Sequence, residues 1–192
     1  MAKKHEFRPD KPKISLLNYL VLAPSQRKSL LKWGLYTAML VFLSVLQDVM
    51  LSQVRIFGAT TELIPCAIFL ICILEGVQQG SIFALVASLL YLFSGTAPGV
   101  YSMVAITFCA VGVCLLRQAY LQERFSSAML CVSLAMILYV LVNFIFGIFL
   151  GLTIFSRFHG FLITAALSLL TVPVMYPVFK AIGKIGGQVW KV

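Results

Sequence analysis

Between Trp33 and Phe179 almost every residue is apolar, and the few charges inside that stretch fall at intervals that divide it into six segments. A bilayer core about 30 Å thick takes roughly 20 apolar residues per helix. The pattern therefore predicts an all-α, polytopic membrane protein. The predicted spans are Trp33–Gln53, Leu63–Gln79, Gly80–Thr96, Gly99–Leu116, Ser127–Gly151 and Phe161–Phe179. The second and third are short, and Leu63–Thr96 could also run as one long tilted helix. Positive charge separates the two readings, because Lys and Arg collect in short cytoplasmic segments. With six spans and both termini in the cytoplasm, thirteen of the fifteen Lys and Arg lie inside; with five spans only nine do. The expected organisation is a bundle of six transmembrane helices over 33–179. A basic cytoplasmic segment, 1–32, precedes it, and a basic cytoplasmic tail, 180–192, follows.

Composition narrows the function classes. With 61% hydrophobic and 11% charged residues, no stretch is long enough for a water-soluble catalytic domain. The net charge of +9 lies in loops and tails, where anionic lipid headgroups are the ordinary partner. No basic patch interleaved with aromatics appears, so nucleic acid is not an expected partner. The basic region runs to Lys32 with no small-x-small cleavage site closing a short apolar core, and the first span is expected to stay as an anchor. Within that region Ile14–Ala23 is too short to span, and it reads either as an interfacial helix or as a segment packed under the bundle. Ser25 is placed to cap the helix that leads into the first span.

Reactive constellations are missing from the pattern. Cys66, Cys72, Cys109, Cys114 and Cys131 all fall inside predicted spans without metal-ligand spacing, so they read as reduced packing residues. His5 lies in the basic tail and His159 in a short loop, and neither has a second ligand or a catalytic partner nearby in sequence. No enzyme activity, metal or cofactor is expected. Polar groups within the spans are few. Glu75, with Gln78 and Gln79, reads as a turn at the inner interface; Asn143 lies midway along the fifth span. Asp48 sits deeper, beside Gln47, and is a candidate for helix pairing or partner contact. A carboxylate relay would need such groups across the midplane, and the fourth and sixth spans contribute no acid or amide.

The chain does spell out close helix packing. Gly76, Gly80, Ala84 and Ser88 recur at intervals of four, which aligns small side chains on one helical face and admits a neighbouring backbone. If the chain turns between the second and third spans, only the last three share the third helix. The compact external link Ser94-Gly95-Thr96-Ala97-Pro98-Gly99 follows.

This ladder, leading through Leu89-Leu90-Tyr91-Leu92-Phe93-Ser94-Gly95 into Pro98-Gly99-Val100-Tyr101, resembles the central signature of the rod shape-determining protein MreD family. Gln47 late in the first span, Gly58 and Pro65 before and at the start of the second, and Arg117 after the fourth also fit, so the resemblance covers roughly residues 33–180. The family usually has an aspartate where this chain has Tyr91, and an acid or amide where it has Cys66. The resemblance implies a scaffold of the bacterial plasma membrane. It would bind the bitopic protein MreC and help couple MreB filaments to the peptidoglycan-building RodA–transpeptidase pair, and so act in cell shape. The contact residues would come from Asp48, Gly76, Gly80, Ala84, Ser88, Gly95, Pro98 and Gly99.

A second class is open: the substrate-binding membrane subunit of an energy-coupling-factor vitamin transporter, whose six-helix architecture the MreD family is thought to share. Such a subunit should converge Trp, Asn, Glu or Arg side chains near the outer face. Here Trp33 and Trp190 lie at the cytoplasmic ends, and no such convergence is expected.

Overall fold

The protein is described by a computed structural model covering residues 24–51, 60–95, 97–120 and 125–185. Ile14–Ala23, Arg55, Gly58, Thr96, Arg124 and Trp190 lie outside the described residues, as does His5. All regular structure among the described residues is helical. Helix α1 (Pro24–Leu46) runs into a π-helical turn, Gln47–Leu51; α2 (Leu63–Glu75), α3 (Val77–Phe93), α4 (Val100–Tyr120) and α5 (Phe125–Phe149) follow. A 3-10 turn, Phe155–Arg157, leads into α6 (Phe158–Lys184). Pro24 already belongs to α1, which suits a residue whose missing N–H costs nothing in a first turn. Ser25 therefore lies within that turn and is not its cap.

Helices α1, α4, α5 and α6 are long and apolar enough to cross a membrane, and they are those of a multi-pass membrane protein. Helices α2 and α3, of 13 and 17 residues, are shorter. The chain reverses between them. Gly76 has φ +90°, a region L side chains avoid, and it ends one helix and starts the next. Cys72 Sγ donates to the Gly80 carbonyl at 3.1 Å. In a continuous helix those residues would be about 12 Å apart along the axis. The single long helix over Leu63–Thr96 is thereby excluded. The turn comes at Gly76, four residues earlier than the boundary drawn from hydrophobicity, because hydrophobicity falls at Gln78 and Gln79 while the backbone turns at the glycine.

Helix α2 is the axis of the bundle. All 13 of its residues are buried, and it packs against each of the other five helices. At 1.5 Å per residue it is about 20 Å long, too short to cross a hydrocarbon core. Its ends are therefore closed by protein, as backbone at membrane depth must be. Gln47 Oε1 accepts from the Leu63 and Ile64 amides at 2.8 and 3.3 Å, and Ser168 Oγ accepts from the Glu62 amide at 2.8 Å. Side chains from the end of α1 and from α6 thus cap the start of α2.

These contacts also fix the directions. The end of α1 meets the start of α2, while Lys32 and Tyr36 of α1 and Phe179 of α6 meet Glu75 at the other end of α2. The beginning of α1 and the end of α6 share one end of the bundle, here the terminal end. Among the described Lys and Arg, Arg27, Lys28, Lys32, Lys180 and Lys184 lie toward that end on α1 and α6, with Arg117 over Gly76, and only Arg157 lies at the far end.

Candidate functional site

The residues singled out from sequence fall into three separate places. Gly80, Ala84 and Ser88 line a buried face of α3. A Cβ on Gly80 would lie 3.0 Å from Cys72 Cα, 3.1 Å from the Cys72 carbonyl oxygen and 3.3 Å from Cys114 Sγ, so the glycine lets α2 and α4 close on α3 at once. One turn beyond, Ser88 Oγ lies 3.2 Å from Thr107 Oγ1 of α4. Gly76 is the hinge, with the Arg117 guanidinium packed over it. At the far end Gly95 takes φ +78°, Pro98 is exposed, and Gly99 sits under the Tyr101 ring, where a Cβ would come within 2.6 Å of Cε1. Asp48 lies apart from both groups in the π-helical turn, half-buried and within electrostatic reach of Tyr91.

At the terminal end the structure assembles a cluster that sequence reasoning missed. Glu75 does not form an interface turn with Gln78 and Gln79. Those two glutamines are exposed, whereas Glu75 is buried. Lys32 Nζ donates to Glu75 Oε2 at 2.5 Å, and Tyr36 OH donates to Oε1 at 2.8 Å. The phenol also lies 3.4 Å from the Phe179 carbonyl oxygen and beside Gly183, where a Cβ would sit 3.0 Å from it. Both carboxylate oxygens are satisfied, and α1, α2 and α6 are tied together. Trp33, Tyr36, Phe83 and Phe179 pack their rings around the pair and keep water away. Lys32, placed by sequence in a basic cytoplasmic segment, belongs instead to the packed bundle.

A second cluster lies toward the far end and corrects the expectation that no polar groups converge there. Glu62, Tyr91 of α3 and Tyr139 of α5 face one another, with Gln47 beside Tyr91. Both tyrosines are buried, and Tyr139 packs edge-on against Phe69 of α2 with ring centroids 6.2 Å apart. Glu62 is partly accessible as a residue, but its Oε2 is enclosed. That oxygen and the two phenol oxygens are shut off from solvent, and the groups lie within hydrogen-bonding reach of one another, Glu62 by Tyr139, Tyr139 by Tyr91 and Tyr91 by Gln47. Glu62 lies one residue before α2, outside the helical spans, and enclosure holds its carboxyl above the usual carboxylate range. The sequence signal for this cluster was weak: its members lie on four elements, and two of them are tyrosines that read as packing residues.

The five cysteines are free and buried. Among the described residues no three His, Cys, Asp or Glu side chains come together to hold a metal ion. Along the outside, α1 and α3 flank an apolar groove in two parts. One, of about 290 Å³, is lined by Trp33, Thr37, Ile82, Phe83 and Val86, and the next, of about 130 Å³, by Leu40, Ser44, Ile64 and Tyr91; Ala87 and Leu90 join them. The chain matches no protein-family model, no curated protein and no solved structure.

Proposed function

We propose that this protein is an MreD-like scaffold of a bacterial cell-elongation complex, a multi-pass protein of the plasma membrane with both termini in the cytoplasm. Its partner is a bitopic MreC-like protein, through which it is linked to MreB filaments and a RodA–transpeptidase pair. The observation that carries this reading is where the bundle spends its small and polar residues. Gly80, Ala84 and Ser88 are buried inside the bundle, Gly80 and Ser88 against α2 and α4, and Lys32, Glu75 and Tyr36 tie three helices together. What α1 and α3 present outward is apolar: Val41, Phe42 and Val45 on one, Ile82, Leu85, Val86 and Phe93 on the other. Such a surface offers van der Waals packing to another membrane helix and nothing reactive. The resemblance through Gly95, Pro98 and Gly99 supports the family reading, and the positive charge gathered at the terminal end supports the cytoplasmic placement of the termini.

Depleting the protein from a rod-shaped host should round the cells while lipid-linked precursor synthesis continues. Unchanged cell shape after depletion would overturn the proposal. A second reading is favoured by one observation. The convergence of Gln47, Glu62, Tyr91 and Tyr139 toward the far end is where a vitamin-binding subunit of an energy-coupling-factor transporter would hold its ligand. Sub-micromolar binding of a vitamin by the purified protein would establish that reading in place of the scaffold.

A further inference from the structure

Helices α1 and α3 meet toward the terminal end of the bundle, where the centroids of the Trp33 and Phe83 rings lie 5.2 Å apart, and beyond it a groove runs between them. Its floor is buried, with Ile64 of α2 and Ala87 of α3, and its walls are exposed and apolar, with Val41 and Val45 on one side and Ile82 and Val86 on the other. The volumes of about 290 and 130 Å³ share Ala87 and Leu90, so they form one slot. Thr37 on its wall already donates to the Trp33 carbonyl at 3.0 Å, and so asks nothing of an occupant. A groove of this kind in a bilayer is filled, because its lining otherwise forfeits dispersion contacts.

Length and charge decide what fills it. Twelve residues separate Trp33 from Val45, which makes the slot about 18 Å long. One leaflet's share of a bilayer core is about 15 Å. A partner helix that crosses the membrane needs a seat through both leaflets, whereas a single acyl chain needs one. The two ends of the slot also differ. At the terminal mouth Gln79 is exposed, and Arg27 and Lys28, one to two turns before Trp33 on α1, are exposed cations whose long side chains reach a headgroup plane. Among the described residues Asp48 and Glu62 lie toward the far end and Glu75 is buried against Lys32, so no exposed carboxylate opposes an anion at this mouth. We propose that the groove between α1 and α3 seats one acyl chain of an anionic phospholipid from the leaflet at the terminal end, with its phosphate held by Arg27, Lys28 and Gln79. The proposal does not rest on the scaffold reading. The lipid fills the slot and leaves Phe42, Leu85 and Phe93, which are exposed beside it, to a partner helix.

Trp33 lines the slot and is one of two tryptophans in the chain, so Trp190→Phe leaves it as the sole indole reporter. The test is quenching of Trp33 fluorescence in the full-length chain reconstituted with acyl-brominated phosphatidylglycerol in a phosphatidylcholine bilayer, against acyl-brominated phosphatidylcholine in a phosphatidylglycerol bilayer. The anionic lipid should occupy the site at least about five-fold more readily, the factor that one basic residue near the surface supplies. Val86→Phe, which fills the slot from an exposed position, should reduce quenching by both lipids, and Leu85→Phe should leave it unchanged. Arg27→Glu with Lys28→Glu should remove the preference and keep quenching by phosphatidylcholine. Equal quenching by the two lipids would overturn the proposal. A preference that survives Val86→Phe undiminished would overturn it as well, since the lipid would then be held by the charged surface alone. So would an indole that neither lipid quenches, which would give the slot to a protein segment.

Discussion

Lys32 places a positive charge well inside α1, and Glu75 places a negative one at the end of a helix with no exposed residue. Each is tolerable only because the other is there. Removing one partner of a buried pair leaves an uncompensated charge, which costs about 3–5 kcal/mol, whereas replacing both by apolar groups is often neutral. Lys32→Met and Glu75→Leu should each lower the unfolding midpoint in detergent, and the double variant should regain most of the loss. A double variant as unstable as the sum of the singles would show that the pair has no mutual dependence. The sequence could not reveal this pair. Forty-three residues separate the partners, and the approach depends on α1 and α2 lying antiparallel. Glu75 beside two glutamines looked like a polar turn, but the chain turns at Gly76, the glutamines belong to the first turn of α3, and Glu75 is buried. Tyr91 and Tyr139 were equally hidden, since a buried tyrosine in a membrane helix has the same sequence pattern whether its hydroxyl is used or not.

At the scale of elements, six helices were legible because apolar runs and charge placement both carry them. The hairpin between α2 and α3 was the ambiguous part, and it rests on two glycines with different tasks. Gly76 supplies a backbone conformation, and Gly80 supplies closeness to the Cys72 backbone. Gly80→Ala should destabilise by about 1–3 kcal/mol, since its Cβ meets backbone that cannot swing away. Gly112→Ala on α4, with nothing within 4 Å of the added carbon, should be neutral or better. Gly80→Leu and Ala84→Leu should lose far more folded protein than Leu85→Ala, because Leu85 faces outward. Equal effects across this set would remove the special role of the seam. What the sequence could not show is that this seam is internal. Small residues at intervals of four serve a partner helix or a neighbour in the same chain equally well, and the answer depends on where α2 and α4 lie.

For the whole molecule, the chain folds so that its first described helix starts and its last one ends on the same side, with Lys and Arg gathered there. Placing that side in the cytoplasm predicts that Lys184→Cys, in a background lacking native cysteines, stays unlabelled from outside intact cells, while Arg157→Cys is labelled. The reverse pattern would invert the bundle. The short, wholly buried α2 also bears on function: it makes the bundle a compact body whose outer helices, α1 above all, are left for packing against lipid or a partner. The most direct measurement of the scaffold account is co-purification of this protein with the host's MreC-like bitopic protein from native membranes, alongside the Asp48→Leu variant. The account predicts a stable complex with the wild-type chain, and less of it with Asp48→Leu although that variant is inserted and abundant. No complex with the wild-type chain, from membranes in which both proteins are abundant, would contradict it.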